Sequence, residues 1–499
     1  MSEFEYTRLE EDDVLDTPTA GHSASVGGPK TITFAGGIML LINSITGPGI
    51  LTIPLLFQEA GWLTPVICIV AVAIISYLSS VMLCSAMEKV PGNGRFKGRI
   101  EFAGVAKVFF WNWAYILTVL LLIGSMIAAF IPAVVISAQT VDGAFIAVFG
   151  QSHALRFWPL GFITAHKLPD VGSSPFGDDY VLTLGYIIVV AVTIPMGFFN
   201  LDDNIIVQKG AFVLTLAIFV QWVVTCCILG FHESVPVITS NQAPVLGSII
   251  FNFAYVTTIP SWCNEKSPEV GVKRSIYTSV IVSSLFYIII GMLGGYALRF
   301  GDGQDLLLAL QTSTRHSKAL HTISSICVYL FPIVALLSGL PVFSIIMKYN
   351  LVENNICRKS VGTFWAVIFP WVISVLLYPG QGALDVINWT SLCVNGITNF
   401  VIPMLLYIVS RHRGFTRITV NFDEDLVSEE EYRRSVERDT MNLITDDYAT
   451  DARDYHFRVL PRSKLVRPTC IAISAIVVVS LMSAAVIALN IYTKVTTTT

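Results

Sequence analysis

Charged residues are scarce in this sequence. Asp, Glu, Lys and Arg make up only 13% of its 499 residues, whereas 54% are hydrophobic, and the mean hydropathy is +0.68. So few ionic groups cannot coat a water-soluble globule of this length, and much of the chain must therefore have lipid as its solvent. The composition excludes an ordinary soluble protein and predicts an integral membrane protein.

Features of several functional classes are also missing. The sequence has no constellation of His, Asp and Cys and no nucleotide-binding loop within reach of an apolar run. Most of the nine cysteines lie inside apolar runs, and none lies in the long loop predicted at 139–179, which argues against a disulfide framework. We therefore expect no enzymatic activity, no catalytic or metal-binding residues, no resident cofactor and no nucleic-acid partner.

Eleven apolar runs are long enough to cross a bilayer as helices, which takes about 20 residues. They lack the strict alternation of membrane β-strands, so we predict an all-α integral membrane protein with about 11 transmembrane helices. The ninth run is short, and a kink within the third is an open alternative. The runs lie near 31–57, 65–87, 108–138, 180–200, 211–231, 244–263, 275–298, 319–347, 361–378, 383–409 and 469–493.

The distribution of basic residues predicts the orientation of the chain in the membrane. With a cytosolic N-terminus, 25 Lys and Arg residues fall on the cytosolic side and six on the other, as the positive-inside rule requires. The predicted divisions are an acidic, disordered cytosolic tail at 1–30, a ten-helix core at 31–410, a cytosolic connector at 411–466, and the eleventh helix with a short non-cytosolic tail at 467–499.

The first and sixth runs are interrupted near their middle. In the first, Gly47 and Gly49 stand on either side of Pro48, and in the sixth Pro260 follows a Tyr-Val-Thr-Thr-Ile stretch. Backbone groups freed at that depth need partners from the protein, from water or from a ligand. Breaks in the first and sixth helices are what two inverted five-helix repeats give, with an eleventh helix appended. Ordinary proline kinks are the alternative.

Such breaks suit a zwitterionic ligand. The N-terminal end of a half-helix presents N–H groups to a carboxylate, and the C-terminal end of its neighbour presents carbonyl groups to an ammonium group. The first ten runs contain no Asp, Glu, Lys or Arg away from their edges, and Asp385 and His321 lie near span ends. Because burying an unpaired charge is costly, we expect a substrate with an uncharged side chain.

Four motifs around these breaks and in the two helices that follow resemble the amino acid/auxin permease family. The resemblance covers nearly the whole of residues 31–493, and it rests on the order and spacing of the four motifs taken together. The motifs are Asn43 to Pro54 followed by Ala60-Gly61-Trp62, Phe251 to Pro260 followed by Glu265 and Pro268, Gly294-Gly295-Tyr296, and Phe331-Pro332 with Leu340-Pro341.

This resemblance implies a LeuT-like core of two inverted five-helix repeats plus one extra helix. It also implies secondary active transport of amino acids by alternating access, in symport with H⁺ or Na⁺. The substrate would bind between the first and sixth helices. The residues implied on the carboxylate side are Asn43, Ser44, Thr46, Gly47 and Gly49. Those implied on the other wall are Phe253, Tyr255 and Thr257, with Tyr255 also as a gate, although simple packing of Phe253 is an alternative.

The coupling ion stays open at this stage. In sodium-coupled members of the family, an asparagine of the first helix and a hydroxyl residue of the eighth attend the ion. Asn43 matches the first position, whereas Gly339 stands at the second, with Ser338 beside it. We take Asn43 and Ser338 as the ion-coupling candidates, and the departure at Gly339 makes protons at least as good a choice as sodium.

The leading hypothesis is thus a transporter of neutral L-amino acids in the lipid bilayer of the plasma membrane or of a vacuolar or lysosomal membrane. The rival hypothesis is an amino-acid sensor that signals through its cytosolic N-terminal tail to a cytosolic partner. The acidic tail is long enough to be such a partner-binding peptide.

Overall fold

A computed structural model describes most of the membrane-spanning part of the chain. The expected acidic tail, apart from Lys30, and most of the expected connector at 411–466 lie outside the described residues. The structure describes residues 30–167, 174–177, 179–239, 241–301, 304–314, 317–378, 394–412, 457, 459 and 468–498.

Helices dominate the described residues, and several are joined end to end through 3₁₀ or π turns. The α-helices are α1 (Phe34–Ile45), α2 (Ile53–Ala60), α3 (Leu63–Glu88), α4 (Phe102–Phe109), α5 (Asn112–Phe149), α6 (Leu184–Gly197), α7 (Leu201–Leu229), α8 (Ala243–Asn252), α9 (Ile259–Glu265), α10 (Val272–Ala297), α11 (Leu306–Ser313), α12 (Lys318–Phe331), α13 (Leu337–Val352), α14 (Lys359–Thr363), α15 (Phe369–Leu376), α16 (Ile402–His412) and α17 (Pro468–Thr498). The 3₁₀ turns are Pro48–Thr52, Gly94–Phe96 and Val256–Thr258, and the π turns are Pro332–Leu336, Phe364–Ile368 and Ile397–Val401.

Seven helices of the described residues are long and apolar enough to cross a membrane, and the bent pair Phe34–Ile45 and Pro48–Ala60 makes an eighth span. These eight coincide with the predicted runs one to three and five to nine. The fourth and eleventh runs form shorter apolar helices, Leu184–Gly197 and Pro468–Ala484. The tenth run begins outside the described residues, so the count of eleven stays a prediction.

Both predicted interruptions are present. The chain bends by 54° between α1 and the helix that begins at Pro48. In the sixth span, α8 ends at Asn252 and α9 begins at Ile259, with a 3₁₀ turn between them. Pro48 and Pro260 stand in the first turn of the helices that follow the breaks, where a missing N–H costs little. The prolines therefore restart helices here rather than merely kink them.

The loop predicted at 139–179 begins later than expected, because α5 continues to Phe149. Asp142 lies inside this extension and is fully buried. Its carboxylate accepts hydrogen bonds of 2.8 Å from the Ser152 hydroxyl, the Gly185 N–H and the Tyr378 hydroxyl. Asp142 therefore joins α5 to neighbouring segments in the interior of the protein. Asp142 lies seven residues before the end of α5 and outside the predicted third run, which ends at 138.

A small antiparallel sheet follows α5, which hydropathy alone does not reveal. Its strands are β1 (Ser152–Arg156), β2 (Gly161–Ala165) and β3 (Val181–Thr183), in the order β2-β1-β3. Ser152 pairs with Ala165, and Ala154 pairs with Thr183. The Ser152 bond to Asp142 ties this sheet to the end of α5.

Buried carboxylates hold α9 at the end of the molecule where the chain enters α1. The Glu101 carboxylate accepts hydrogen bonds from the Ser261 hydroxyl at 2.6 Å and the Asn264 amide at 2.7 Å. Glu265 accepts from the Tyr349 hydroxyl at 2.8 Å and from the Asp202 N–H at 2.7 Å. Side chains and backbone of three other segments therefore fix the second half of the broken sixth span.

The segment before α1 is fastened to the same end. The Lys30 ammonium donates to the carbonyl oxygens of Phe96, Lys97 and Gly98 at 2.5, 2.8 and 2.9 Å. Ile32 forms a parallel bridge with Lys266, next to the last residue of α9. The entrance to the first span and the exit of the sixth are thus joined directly.

Glu101 should make the stability of the protein fall as the pH rises. Burial, reinforced by the nearby Glu353 carboxylate, raises the pKa of Glu101 from 4.5 to about 8, and the bonds from Ser261 and Asn264 oppose this only in part. The folded protein thus keeps a proton that the unfolded chain releases, so this contribution to the free energy of unfolding falls between about pH 4.5 and about pH 8.

The measurement is the melting temperature of the purified protein in detergent at about pH 5, 6.5 and 8. The Glu101→Gln variant, which is neutral at every pH, should gain stability relative to the wild type as the pH rises. Glu269→Gln, at an exposed position, is the matched control and should show no such trend. A difference between Glu101→Gln and the wild type that is the same at all three pH values would contradict the assignment.

Candidate functional site

A cavity lies where the two broken spans face each other. Residues at the two breaks form part of its walls. The rest comes from α5, from α7, from the π turn and α13 of the eighth span, and from Asn395. The lining residues are Asn43, Ser44, Ile45, Gly47, Pro48, Ala129, Ala133, Gln208, Phe251, Asn252, Ala254, Ala335, Leu336, Gly339, Val342, Phe343 and Asn395.

The cavity is small and uncharged. Its volume is about 50 Å³, which is room for roughly four ordered waters or a compact organic ligand. Among the described residues that line it, none is Asp, Glu, Lys, Arg or His. Polar character comes from amides, one hydroxyl and the backbone, so the walls can offer hydrogen bonds without a counter-charge.

The break after α1 supplies one wall. The Gly47 N–H donates to the Ile45 carbonyl at 2.9 Å, and the Ile50 N–H donates to the Gly47 carbonyl at 3.3 Å. A Cβ at Gly47 would meet nothing within 4 Å, so this backbone faces open space. The helix Pro48–Ala60 then begins beside the cavity, with the positive end of its dipole toward it. An anionic group is therefore favoured at this end.

The break after α8 is held mainly by neighbouring side chains. The Ser76 hydroxyl donates to the Phe253 carbonyl at 3.1 Å, and the Thr257 N–H donates to the Asn399 side chain at 3.2 Å. The Ser80 hydroxyl donates to the Tyr255 hydroxyl at 3.2 Å. These contacts satisfy backbone groups that the interruption frees.

The two breaks also touch each other. The Tyr287 hydroxyl of α10 donates to the Ile45 carbonyl at 2.6 Å and lies 3.2 Å from the Asn252 side-chain oxygen. A Cβ added to Gly49 would lie 2.5 Å from that same oxygen. Glycine at position 49 thus allows the first break to approach the second this closely.

The structure places the sequence-predicted site residues in two groups. Asn43, Ser44 and Gly47 line the cavity. The others are packed around it: the Thr46 hydroxyl donates to the Ile42 carbonyl at 2.8 Å, Gly49 lies against Asn252, and the buried Phe253, Tyr255 and Thr257 flank residues of the sixth span that line the cavity. The Phe253 ring packs edge-on against Tyr287, with centroids 5.6 Å apart.

Of the two predicted ion-coupling residues, Asn43 lines the cavity, whereas the Ser338 hydroxyl donates to the Ala335 carbonyl at 3.2 Å. Gln208 of α7 joins them. Its side-chain oxygen accepts from the Asn43 amide at 2.9 Å, and its own amide donates to the Ser338 carbonyl at 2.6 Å. Gln208 thus lies between the two candidates for ion coupling.

Three amides of the cavity wall were missed by the sequence analysis. They are Gln208, Asn252 and Asn395, all at most 2% exposed. The sequence analysis considered only charged residues inside the apolar runs. An uncharged amide in such a run also needs a hydrogen-bond partner and marks a functional position in the same way. Gln208 in addition lay just outside the predicted fifth run, which was drawn from 211.

Two solved structures have similar folds. Mhp1, a nucleobase-cation-symport-1 family transporter in a closed conformation with bromovinylhydantoin bound, matches with a TM-score of 0.57 and 13% identity over 94% of this chain and 96% of its own. MhsT in complex with L-phenylalanine matches with a TM-score of 0.57 and 12% identity over 92% of this chain and 100% of its own. At this identity the likeness concerns the fold alone, and it confirms the predicted LeuT-like helical fold.

No curated protein sequence matches this chain. A protein family does: the family described as "Transmembrane amino acid transporter protein" matches residues 30–409, from the segment before α1 almost to the end of α16. This range is well over half of the chain, and the resemblance inferred from the sequence motifs is confirmed. The protein is an integral membrane transporter of amino acids or related substrates rather than an enzyme, and the chain belongs to the transmembrane amino acid transporter protein family.

Proposed function

We propose that the protein carries neutral L-amino acids across the membrane by secondary active transport, with the cavity between the two breaks as the substrate site. One observation carries this proposal above the others. A cavity flanked by two interrupted helices is lined by amides, a hydroxyl and apolar groups, without an ionisable side chain. A charged substrate side chain would lie there without a counter-ion, at a cost of several kcal/mol.

The backbone would bind the part that all amino acids share. The carboxylate lies at the N-terminal end of Pro48–Ala60, near Gly47 and Ser44, where helix N–H groups and the dipole favour a negative charge. The ammonium group lies toward the carbonyl ends of α1 and α8. In this proposal Asn43, Ser44 and Gly47 contact the substrate. Thr46, Gly49, Phe253, Tyr255 and Thr257 form the layer that shapes these contacts.

Alternating access would require the two ends of the core to open in turn. Ile32 pairs with the backbone of Glu265 and Lys266 and so fastens the first span to the sixth at one end, while Lys30 fastens the same segment to the 3₁₀ turn Gly94–Phe96 and the two residues after it. The Thr31 hydroxyl adds a hydrogen bond to Asp202. We propose that these bonds close the cytosolic end in this conformation and break when α1 swings away. We place this end in the cytosol because the excess of basic residues lies on that side. Segments 1–30 and 411–466 would then be cytosolic, and the membrane would be the plasma membrane or a vacuolar or lysosomal membrane.

We propose that protons, rather than sodium ions, are coupled to transport. A sodium ion between the first and eighth spans would need oxygen ligands from Asn43 and Ser338. The Gln208 amide instead donates to the Ser338 carbonyl at 2.6 Å, and the Asn43 amide donates to Gln208. The Gln208 amide thus competes with a cation for the Ser338 carbonyl, and Gly339 beside it offers no hydroxyl, so we propose transport that does not depend on sodium.

Filling the open space at Gly47 should abolish transport. A leucine at position 47 would project where no atom lies within 4 Å, and it would also favour continuous helix across the break. We expect Gly47→Leu to insert and to purify like the wild type, with uptake reduced at least about tenfold. The matched control is Gly210→Leu, at an exposed position in α7 with equally open surroundings. Wild-type uptake by Gly47→Leu would mean that the break is only a kink.

Substrate class and coupling can be tested together in proteoliposomes. Neutral amino acids should compete with one another for uptake, whereas arginine and glutamate should compete poorly, because the cavity lining offers no counter-charge. A pH gradient should drive accumulation, and an added sodium gradient should not increase it. Gly47→Leu proteoliposomes give the background. Better displacement of the substrate by arginine or glutamate than by every neutral amino acid tested would refute the proposal.

A further inference from the structure

Asn395 is the lining residue whose hydrogen bonding is incomplete. Its side chain is 1% exposed and lines the cavity. The Ser125 hydroxyl donates to its side-chain oxygen, while its side-chain nitrogen has no hydrogen-bond partner in the described part of the protein. A buried amide donor without a partner is unfavourable, and in native proteins such groups need an explanation.

The other three amides of the cavity each donate at least one hydrogen bond within the protein. The Asn43 amide donates to the backbone and side-chain oxygens of Gln208, both at 2.9 Å. The Gln208 amide donates to the Ser338 carbonyl, and the Asn252 amide donates to the Ser248 carbonyl at 2.9 Å. Among the described lining residues, Asn395 is therefore the amide whose nitrogen donates no hydrogen bond within the protein, and it is available to donate to a ligand.

The position of Asn395 assigns it to a particular wall. Its anchor, Ser125, lies on α5 one and two helical turns before Ala129 and Ala133, which also line the cavity. The carboxylate of the substrate is proposed to lie at another wall, the start of Pro48–Ala60. A π turn begins two residues after Asn395, at Ile397, and such turns are frequent at functional sites.

We propose that Asn395 is a specificity-determining residue that donates a hydrogen bond to an oxygen on the substrate's side chain. The site then prefers small neutral amino acids with a hydroxyl or carboxamide oxygen over aliphatic ones of the same size. The alanines of the α5 wall and the small cavity keep the preferred side chain short. This inference rests on the proposed transport of neutral amino acids and narrows its substrate class.

A site built to hydrogen-bond a substrate oxygen rejects the analogue that lacks it, since the buried donor is then unpaired. Serine and alanine differ by one hydroxyl, and threonine and valine differ by a hydroxyl in place of a methyl group. We therefore expect the wild-type protein in proteoliposomes to take up serine and threonine about tenfold better, in kcat/KM, than alanine and valine, respectively.

Two substitutions test the role of the amide. Asn395→Leu removes the donor with little change in size, and Asn395→Ala removes the whole amide. Both should bring the serine-to-alanine ratio of kcat/KM close to one, mainly through a loss of serine uptake. Asn241→Leu, at an exposed asparagine outside the cavity, is the control and should keep the wild-type ratio. Size-exclusion elution checks folding, and Asn395→Ala is the variant to measure if Asn395→Leu does not fold.

Several results would overturn the inference. An unchanged serine-to-alanine ratio in a folded Asn395 variant would mean that the amide does not bind the side chain of the substrate. An equal loss of alanine and serine uptake would place the amide on the carboxylate or in the packing. No preference for serine over alanine in a wild-type protein that does transport neutral amino acids would defeat this inference alone. Absence of any neutral amino acid transport would defeat the proposed function and this inference with it.

Discussion

Backbone groups released inside an apolar bundle must find hydrogen-bond partners there, and this constraint organises the molecule. Two spans break near their middle, and the surrounding helices supply the side chains that compensate. Ser76 and Ser80 come from α3, Tyr287 from α10, and Asn399 from the tenth run. These buried polar side chains are thus explained by the two breaks.

The two breaks are not compensated equally by surrounding side chains, and this difference indicates where the substrate site lies. The sixth-span break is covered by serine and asparagine side chains, and its aromatic residues are buried against other helices. The first-span break leaves Gly47 facing open space at the start of a helix. Across the cavity Asn395 retains an unpaired donor. A zwitterion with a polar, uncharged side chain would complete the hydrogen bonding at both places without bringing in a charge.

Much of the fold could be predicted from the sequence, because its signals are local. Long apolar runs predict spans, and the Gly47-Pro48-Gly49 and Pro260 signals predict breaks that the structure has. The continuation of α5 to Phe149 was missed because Asp142 suggests a loop, whereas three hydrogen bonds from distant residues keep it buried. Likewise Tyr255 and Thr257 flank the break, yet only the packing of α3 and Asn399 decides that they face away from the cavity.

The central claim is that the first-span break receives the substrate carboxylate. An experimental structure of the protein with a transported neutral amino acid bound tests it most directly. The account predicts ligand density in the cavity, with the carboxylate within hydrogen-bond distance of backbone N–H groups near Gly47 and Gly49 and the side chain toward Asn395. Density at another place, or a carboxylate facing α5 with no contact to the start of Pro48–Ala60, would contradict it.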